Sequence, residues 1–501
     1  MKNVLEYMEH HVLCRPDKIA VIDKTSSNSY RELEHTCKTV GTALSRHIKV
    51  GQPVAVLMEK GIPALCAFWG AIYAGGYYVL LNPELPVFRL KQIQKVLQAE
   101  YVIVDSQHAK LAAELFPARA ILMMDDLQKE SIDLERLRFV RSRLIVSDPL
   151  YVNFTSGSTG VPKGVVVSHR SVINFIDVFT DTFQFSSTDI FGNQAPFDFD
   201  VSVKDIYTSA KVGGTLAIIP KPFFSRPKAL LDWICEIHIT VMIWSVSALC
   251  LISVFHGLDY LIPTSVRKIL FSGEIMPEKH LRAWLKHLPD AQFVNLYGPT
   301  EITCNCTYHV IDRNGDYSHG IPIGRPFPNE QVFLLDANAQ EVTTSGVVGE
   351  ICVRGTALAL GYFRNPQQTE VAFVQNPLNT SYPERIYKTG DLGKYLDNGE
   401  LLFCGRKDFQ IKYMGHRIEL EEIERAVAKI PGVDQCCCVF DTKKERLYGF
   451  YTGSPKQPSL RSQLAESLPV YMVPRTLYQI KKFPLNKNGK IDRKRLLDRK
   501  E

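Results

Sequence analysis

The chain has 501 residues, of which 45% are hydrophobic, and this length and composition predict two or more domains with large buried cores. The formal net charge is only +6. Because no basic helix carries interleaved aromatic residues and no zinc-finger spacing occurs, we expect no nucleic-acid partner. The 12 cysteines stand in a long chain without a secretion signal, so we interpret them as reduced thiols.

The N-terminal part of the chain predicts a protein that is neither exported nor inserted into a membrane. Residues 1–11 carry acids where an export signal needs an apolar core, which favours a cytoplasmic location. Residues 61–82 hold no charge over roughly the length that spans a bilayer. Pro63 can begin a helix and Gly75-Gly76 can end it, so we predict a buried helix followed by a buried strand there.

Residues 151–164, Tyr-Val-Asn-Phe-Thr-Ser-Gly-Ser-Thr-Gly-Val-Pro-Lys-Gly, place glycines and hydroxyl side chains behind a short apolar run. Glycines let backbone N–H groups approach phosphate oxygens, hydroxyls add donors, and Lys163 supplies charge, so the loop predicts a polyphosphate cradle. Gly164 stands where a Walker A loop has serine or threonine, which weakens a kinase or P-loop ATPase interpretation. Taken alone, the same composition is also typical of a surface turn.

Apolar strands alternate with amphipathic helices over residues 1 to about 400, which predicts a parallel sheet with helices on both faces. Near Gly405 a second module begins, with a strand over residues 409–413 and a helix over residues 419–429. The predicted fold is therefore α/β, with a large N-terminal domain of helix-covered sheets, residues 1–405, and a small mobile α+β C-terminal lid, residues 406–501. Within the lid, Cys436-Cys437-Cys438 precedes further apolar residues and predicts a buried strand.

Four more segments follow the glycine-rich loop: residues 295–301 (Asn-Leu-Tyr-Gly-Pro-Thr-Glu), 387–391 (Tyr-Lys-Thr-Gly-Asp), 405–412 (Gly-Arg-Lys-Asp-Phe-Gln-Ile-Lys) and 488–490 (Asn-Gly-Lys). In this order and spacing, the five segments resemble the core motifs of the adenylate-forming superfamily, which covers acyl-CoA synthetases, luciferases and amino-acid-activating adenylation domains. The resemblance runs over essentially the whole chain. It implies an ATP-dependent ligase that activates a carboxylate, with Mg²⁺ as the metal.

The resemblance also implies a role for each motif. Activating a carboxylate makes one anion attack another, so the site has to neutralise charge and hold the attack in line. Lys490 would be the catalytic lysine that bridges the carboxylate, the phosphate and the ribose, Glu301 would hold magnesium, and Asp408 would be the hinge of the lid. From composition alone a surface lysine is favoured for Lys490, and the motif around it disfavours that interpretation.

The ATP site would draw on three further parts of the chain. Tyr297 would stack on adenine, Asp391 would accept from the ribose hydroxyls, and Arg406 would add a ribose contact; without the other motifs, Asp391 after Gly390 would suggest a turn aspartate. The phosphates would be bound by Thr155 and Ser156. The predicted ATP-binding set is completed by Thr159, Lys163, Asn295, Gly298 and Thr300.

The segment 193–207 indicates which kind of carboxylate is activated. Amino-acid-specific members of the superfamily have an aspartate at the position of Asp200, which pairs with the substrate ammonium. A buried carboxylate without a partner is costly, so a fatty-acid pocket would not tolerate it. The alternative is an ion pair between Asp200 and Lys204, one helical turn later.

Among amino-acid activators, the resemblance is strongest to D-alanine:carrier-protein ligase, through segments that include residues 193–197 and 270–274. By this alignment the pocket departs from the D-alanine pattern. Several walls match serine-activating domains, whereas Lys204 is bulky and charged: it either shrinks the pocket or reads an acidic or hydroxylated side chain. The walls would be Val201, Lys204, Ile243, Leu270, Ser272, Leu296, Cys304 and Asn305.

The predicted function is formation of an aminoacyl-AMP with release of pyrophosphate, followed by transfer to the phosphopantetheine thiol of a carrier protein. Because nothing after Lys490 resembles a carrier domain, we expect a separate carrier, for which the basic C-terminal residues offer a docking face. One alternative is a stand-alone peptide-synthetase-type enzyme for serine or another small polar amino acid. An acyl-CoA synthetase is the alternative from another class.

Overall fold

The structure is a computed structural model that describes residues 1–157, 161–442, 444–485 and 491–498. Thr159 and Lys490, predicted for the ATP site and for catalysis, lie outside these residues. The chain divides into two compact units. The first unit comprises Met1–Asn82, Ala99–Asn153 and Gly164–Lys407, and the second comprises Pro83–Gln98, Phe154–Lys163 and Asp408–Glu501.

The strands are, in chain order, β1 (Ile19–Ile22), β2 (Ser27–Ser29), β3 (Pro53–Leu57), β4 (Tyr77–Leu80), β5 (Val102–Val104), β6 (Ile121–Met123), β7 (Pro149–Thr155), β8 (Lys163–Ser168), β9 (Ile190–Asn193), β10 (Thr215–Ile218), β11 (Val241–Ser245), β12 (Lys268–Ser272), β13 (Gln292–Tyr297), β14 (Thr307–Val310), β15 (Arg325–Pro326), β16 (Glu330–Leu335), β17 (Val348–Gly355), β18 (Gly361–Tyr362), β19 (Phe373–Gln375), β20 (Arg385–Tyr395), β21 (Leu401–Arg406), β22 (Gln410–Tyr413), β23 (His416–Glu419), β24 (Val433–Asp441), β25 (Arg446–Gly453) and β26 (Thr476–Gln479).

The α-helices are α1 (Leu5–Cys14), α2 (Tyr30–Leu44), α3 (Ile62–Tyr73), α4 (Val87–Leu97), α5 (Ala109–Leu115), α6 (Met124–Leu127), α7 (Leu134–Arg141), α8 (His169–Phe183), α9 (Val201–Val212), α10 (Pro227–Glu236), α11 (Val246–Val254), α12 (Gly257–Tyr260), α13 (Glu278–His287), α14 (Pro366–Ala372), α15 (Leu420–Ala428), α16 (Gln457–Ser467) and α17 (Arg493–Asp498). Short 3-10 helices cover Ala118–Ala120, Lys221–Ser225, Thr300–Ile302 and Val470–Met472.

Two large sheets dominate the first unit, and their central strands are parallel. Their strand orders are β15-β14-β13-β12-β11-β9-β10-β1-β2 and β18-β8-β7-β4-β3-β5-β6. Parallel pairing runs from β10 through β9, β11 and β12 to β13 in the first sheet, and through β7, β4, β3, β5 and β6 in the second. Helices supply the crossovers that parallel strands require. The predicted α/β fold with helix-covered sheets is therefore confirmed.

The prediction of parallel pairing up to residue 400 is wrong for the last part of the first unit. From β16 onward the strands form a third sheet, in the order β16-β17-β20-β19 with β21 beside β20, and its pairings are antiparallel. A short turn at Leu396–Glu400, for example, joins β20 to its neighbour β21. Turns of this length permit only antiparallel pairing.

The uncharged stretch over residues 61–82 is a buried helix followed by a buried strand, as predicted. Helix α3 has a proline in its first turn, and its chain reverses at Gly75, where φ is +82°. Strand β4 then pairs with β3 in parallel. In the described parts of the chain, no helix combines the length and the apolar character that crossing a bilayer requires.

The second unit contains its own small sheet and apolar core. Strands β24, β25 and β26 form a three-stranded sheet, β22 and β23 form a hairpin, and Ile423 of α15 packs with Cys438 in one core cluster. Cys437 packs into a different cluster on the other face, so the predicted buried strand is confirmed. The first unit ends at Lys407 and the larger part of the second begins at Asp408, close to the predicted boundary at 405/406.

Gly324 lies very close to the backbone of Tyr308 on β14, the strand next to β13. Its φ of +83° and that of Gly399, +79°, both favour glycine, but a Cβ at Gly324 would collide with the Tyr308 carbonyl, whereas Gly399 has open space around it. Both alanine substitutions incur the cost of a left-handed backbone, about 1 kcal/mol. We expect Gly324→Ala to cost at least about 2 kcal/mol more than Gly399→Ala, because backbone atoms must also shift. Chemical unfolding of the two variants checks this, and equal losses would contradict the close approach.

Candidate active site

Tyr297, Asp391 and Arg406 meet at one buried carboxylate in the first unit. Asp391 and Arg406 are direct cross-strand partners on β20 and β21. The Tyr297 hydroxyl donates to Asp391 Oδ2 at 2.5 Å, and the Arg406 guanidinium forms an ion pair with Oδ1. The structure thus brings together three residues that were predicted for the nucleoside. Asp391 lies inside a strand, so the turn aspartate that its sequence alone suggests is excluded.

Burial decides the charge state of the Tyr297 hydroxyl. Asp391 is 6% exposed, and a carboxylate removed from water needs strong donors. Burial first, and then the neighbouring Asp391 charge, raise the pKa of Tyr297 well above its usual value. The phenol therefore keeps its proton and remains a donor to the carboxylate.

Strand β20 is fixed next to Asp391 by Glu350, which the sequence did not single out. Glu350 Oε1 accepts the amide of Gly390 at 3.2 Å, and Oε2 pairs with Lys407 at 2.8 Å. The Thr389 hydroxyl donates to the Ile351 carbonyl at 2.8 Å. A glutamate that serves the backbone of a distant strand has no local sequence pattern.

The other predicted residues of the 295–301 motif lie on β13 and the turn after it. Asn295 is buried and its amide donates to the Pro322 carbonyl at 2.8 Å. At Gly298 a Cβ would collide with the backbone of Asn305, so only glycine fits this approach. Thr300 begins the short 3-10 helix that carries Glu301.

Glu301 is a buried carboxylate that a neighbouring hydroxyl fixes in place. Its side chain is fully buried, and Oε1 accepts the Tyr362 hydroxyl at 2.7 Å. Among the residues that the structure describes, no three His, Cys, Asp or Glu side chains form a metal cluster. Magnesium that arrives on nucleotide phosphates needs only one or two carboxylates, since phosphates and waters complete its shell. A single carboxylate such as Glu301 therefore fits an ion that ATP carries, and its role as a magnesium ligand stays a prediction.

The predicted substrate pocket is assembled from α9, three neighbouring parallel strands and the turn after β13. Leu270 pairs with Ile243 of β11, and Ser272 pairs with Leu296 of β13. Residues two apart in a strand share a face, so Leu270 and Ser272 point the same way. The nearby walls on other elements are Val201 and Lys204 on α9, and Cys304 and Asn305 after the 3-10 helix.

Lys204 reaches into this group of side chains rather than away from it. It is fully buried, and its ammonium donates to Asn305 Oδ1 at 2.6 Å and to Ser272 Oγ at 3.5 Å. Three predicted walls, Lys204, Ser272 and Asn305, are therefore in contact. A cation at this depth is costly unless polar groups solvate it, and the two acceptors serve that purpose.

Asp200 stands at the N-terminus of α9, where its side chain caps no backbone amide. Its carbonyl accepts the Cys304 thiol at 3.1 Å. Tyr151, which the sequence did not assign, is fully buried, and within the described residues its hydroxyl has no hydrogen-bond partner. Burial, and then the nearby Cys304 and Asp200, raise the pKa of Tyr151 well above normal. Nothing in the sequence distinguishes Tyr151 from other buried tyrosines. Its hydroxyl, which has no partner among the described residues, distinguishes it in the structure.

Lys60 ties down the loop that leads to Asp200, a role that the sequence did not reveal. Its ammonium lies 3.2 Å from the Asn193 carbonyl, 3.1 Å from that of Gln194 and 3.4 Å from that of Ala195. Further along the loop, the Asn82 amide donates to Asp198 Oδ2 at 3.1 Å. Two residues from the early part of the chain thus position the segment that carries Asp200.

The predicted phosphate residues Thr155, Ser156 and Lys163 belong to the second unit. Ser156 is buried and donates to the Arg417 carbonyl at 2.7 Å, and the Thr155 hydroxyl lies 3.5 Å from the Lys163 carbonyl. The predicted hinge, Asp408, is exposed and accepts the Gln410 amide at 3.2 Å. Their roles in binding ATP and in lid movement stay predictions.

Known proteins resemble this chain over nearly its full length. Zwittermicin A synthase ZmaJ of Bacillus cereus is 33% identical over 98% of this chain and 94% of its own. Bacitracin synthase 1 of Bacillus licheniformis is 32% identical over 99% of this chain, which spans only 9% of that longer protein. The crystal structure of the Vibrio cholerae adenylation domain AlmE, in complex with glycyl-adenosine-5'-phosphate, shares the fold with a TM-score of 0.86 at 23% identity, covering 99% and 98% of the two chains.

These findings define the protein as an adenylate-forming ligase of the adenylation-domain type, which uses ATP. The model of the AMP-binding enzyme family matches residues 8–363, and the model of the AMP-binding enzyme C-terminal domain matches residues 422–490. The chain belongs to the AMP-binding enzyme family.

Because Lys60 is buried, we expect the unfolding free energy of the protein to depend on pH. Burial lowers the pKa of Lys60 to about 7, against the opposing pull of Asp205. Between pH 7 and 10 the unfolded chain then binds more protons than the folded one, so this lysine adds stability as the pH rises, by up to about 1.4 kcal/mol per pH unit. Lys60→Met removes that dependence. We expect the difference in unfolding free energy to shift in favour of the wild type from pH 7 toward pH 10.

The exposed Lys49 supplies the matched control, because Lys49→Met changes no buried charge. Denaturant unfolding at several pH values measures both variants. A flat difference for Lys60→Met would mean that its ammonium is solvated.

Proposed function

We propose that the protein activates a small amino acid as its aminoacyl-AMP and then transfers the aminoacyl group to the phosphopantetheine thiol of a separate carrier protein. The observation that carries the amino-acid assignment is the position of Asp200 at the start of α9, where its backbone carbonyl accepts the thiol of the predicted pocket wall Cys304 at 3.1 Å. Its neighbours Val201 and Lys204 on that helix are predicted pocket walls. A carboxylate so placed is suited to a substrate ammonium.

In the first step, a carboxylate oxygen of the amino acid attacks the α-phosphorus of ATP. The bond from that phosphorus to the β-phosphate oxygen breaks, and pyrophosphate leaves with the electron pair. Glu301 would hold the magnesium ion that accompanies ATP, and that ion would neutralise charge on the phosphates. Asp391 accepts hydrogen bonds from the ribose hydroxyls. Lys490 stabilises charge that develops in the transition state.

In the second step, the carrier thiolate attacks the acyl carbon, and the bond to the AMP oxygen breaks. A thioester and AMP are the products. One site then serves two reactions, so the lid swings about Asp408 between them, since a hinge concentrates the backbone change in very few residues. We assign the protein to the cytoplasm, where ATP and carrier proteins are present.

The surroundings of Lys204 favour a small polar amino acid over D-alanine. An ammonium that is solvated by Ser272 and Asn305 makes this part of the wall strongly polar. An ammonium has three donors, and a hydroxyl or carboxylate on the substrate would be a fitting acceptor. The side chain of serine or of an acidic amino acid suits this wall better than the methyl group of D-alanine does. Activation of a fatty or aryl acid for CoA is disfavoured, because it would bury Asp200 and Lys204 against an apolar chain.

The decisive experiment is exchange of labelled pyrophosphate into ATP across a panel of amino acids and short fatty acids. We expect exchange to depend on an amino acid and to be lost in Asp200→Asn, since the substrate ammonium loses its counter-charge at a cost of about 2–3 kcal/mol or more. The fold should survive, because the carboxylate serves the ligand.

Asp198→Asn, on the same loop, is the matched control and should lower exchange far less, because its partner is the Asn82 amide. Exchange driven by a fatty acid, or ADP as the product, would overturn the assignment. Unfolding of Asp200→Asn without ligand would instead support an ion pair with Lys204.

Lys204→Met separates the two substrate classes. If the ammonium reads the substrate side chain, kcat/KM for serine or an acidic amino acid should fall by about tenfold or more, since one charge-assisted hydrogen bond is lost. If Lys204 only fills space, small apolar amino acids should gain while the preferred substrate changes little. Ser272→Ala provides the comparison, because it removes an acceptor of the lysine and leaves the charge. Unchanged selectivity in Lys204→Met would exclude this side chain from recognition.

A further inference from the structure

The loop that carries Asp200 is closed by a pair of side chains, Asn193 and Asp205. Asn193 ends β9, and Asp205 lies on α9, which begins directly after Asp200. The Asn193 amide nitrogen Nδ2 donates to Asp205 Oδ2 at 2.8 Å, and both side chains are fully buried. A hydrogen bond therefore joins the two ends of the segment in which Asp200 lies.

Each member of this pair has a second polar atom that the hydrogen bond does not use. Within the described parts of the chain, neither Asp205 Oδ1 nor Asn193 Oδ1 has a hydrogen-bond partner, although both atoms are buried. A carboxylate oxygen and an amide oxygen only accept hydrogen bonds, so the two atoms cannot satisfy each other while Asp205 is ionised. Leaving both without a donor is costly, and the larger cost is that of the charged carboxylate.

The titratable groups that face Asp205 have other partners. They are the ammonium groups of Lys60 and Lys204 and the thiol of Cys304. Lys60 binds three backbone carbonyls at the start of the loop, and Lys204 binds two side chains of the predicted pocket wall. Cys304 donates to the Asp200 carbonyl. Asp205 therefore has one hydrogen bond from a neutral amide and, among the described residues, no ion pair.

We propose that Asp205 is a neutral carboxylic acid that forms a cyclic pair with Asn193 through two hydrogen bonds, and that this pair positions the loop which carries Asp200. The protonated Asp205 Oδ1 donates to Asn193 Oδ1, while Asn193 Nδ2 donates to Asp205 Oδ2. Both buried acceptors are then satisfied. Burial supports the proton, because it raises the pKa of Asp205 to about 7 against the opposing effects of the Asn193 hydrogen bond and the two lysines.

Two parallel hydrogen bonds hold the loop more firmly than one. A single bond lets the two groups turn about its axis, whereas a second parallel bond fixes the planes of both. Asp200 lies between the two anchored residues and next to the predicted pocket wall Val201. The effect on the substrate rests on the proposed function, in which Asp200 pairs with the substrate ammonium. Asn193 and Asp205 are thus positioning residues that act through Asp200.

Asp205→Asn imitates the neutral acid, because its amide donates to Asn193 Oδ1 where the protonated oxygen does. A carboxyl group whose pKa is raised from 3.8 to about 7 on folding loses stability as the pH rises over that interval, since the folded state binds more protons than the unfolded one. The variant lacks this loss. We expect its unfolding equilibrium constant, relative to that of the wild type, to fall by up to roughly tenfold per pH unit over that interval. Denaturant unfolding at several pH values measures the ratio.

Asp189→Asn is the matched control, because Asp189 is also buried but has donors on both oxygens. Its Oδ1 accepts the Thr240 hydroxyl and the Arg267 guanidinium, both at 2.9 Å, and its Oδ2 accepts the Ser186 amide at 2.8 Å. The amide group of asparagine would face a donor there. This variant should therefore have an unfolding equilibrium constant roughly tenfold or more above that of the wild type at neutral pH.

Difference infrared spectroscopy detects the proton directly. The spectrum of the wild type minus that of Asp205→Asn should contain the carbonyl band of a protonated carboxyl group at weakly acidic pH, and this band should fade as the pH rises through about 7. A carboxylate band alone at weakly acidic pH would overturn the proposal, because Asp205 would then be ionised, with an internal water or ion at Oδ1. Destabilisation of Asp205→Asn at neutral pH to the extent seen in Asp189→Asn would overturn it as well.

The positioning role is tested by Asp205→Leu and, from the other side of the pair, by Asn193→Ala. In pyrophosphate exchange we expect each to raise KM for the amino acid roughly tenfold, with KM for ATP unchanged, whereas Asp205→Asn keeps the wild-type values. A rise in both KM values, or in neither, would contradict this role. If the leucine variant does not fold, Asn193→Ala and Asp205→Asn still give the comparison.

Failure of the proposed function looks different from failure of this proposal. The wild type would then show no amino-acid-dependent pyrophosphate exchange, while the infrared band and the pH-dependent stability of Asp205→Asn would remain as expected.

Discussion

The nucleoside half of the candidate site depends on one interaction, the buried carboxylate of Asp391 held between Tyr297 and Arg406. A carboxylate loses several kcal/mol of hydration when it leaves water, so it persists only where strong donors replace that water. The two donors come from β13 and β21, which belong to different sheets of the first unit. Each sheet therefore has to end at a fixed place. The turn after β13, with its obligatory Gly298, and the Glu350 brace on β20 both satisfy that requirement.

The predicted amino-acid pocket likewise depends on buried charged side chains that have polar partners. Lys204 and Asp205 are adjacent on α9 and both are fully buried, yet they have different partners. Lys204 is solvated by Asn305 and Ser272, whereas Asp205 accepts the Asn193 amide at 2.8 Å and, through burial, has its pKa raised to about 7. One turn of helix thus directs one charge into the pocket wall and another toward the base of the loop that Lys60 holds.

The sequence predicted most of the elements that carry the site, because its signals there are local. Helix α3 and strand β4 follow from glycine and proline punctuation, and α15 follows from its apolar spacing. Motif order indicated which residues belong with the nucleotide. What escaped prediction is long-range: the antiparallel sheet after residue 330, and the partners Tyr362, Glu350 and Lys60. These side chains act on backbone or carboxylates far away in the sequence, and nothing near them in the chain marks that role.

The second unit is discontinuous, since Pro83–Gln98 and Phe154–Lys163 belong to it together with the segment from Asp408 onward. Module exchange between related enzymes is usually planned as a single cut at a linker. A chimera joined between Lys407 and Asp408 would import Glu422 without Arg89, its partner in a buried ion pair, leaving a foreign side chain opposite a buried acid. An exchange of the C-terminal module between related enzymes should therefore include residue 89, although that residue lies more than three hundred positions earlier in the sequence.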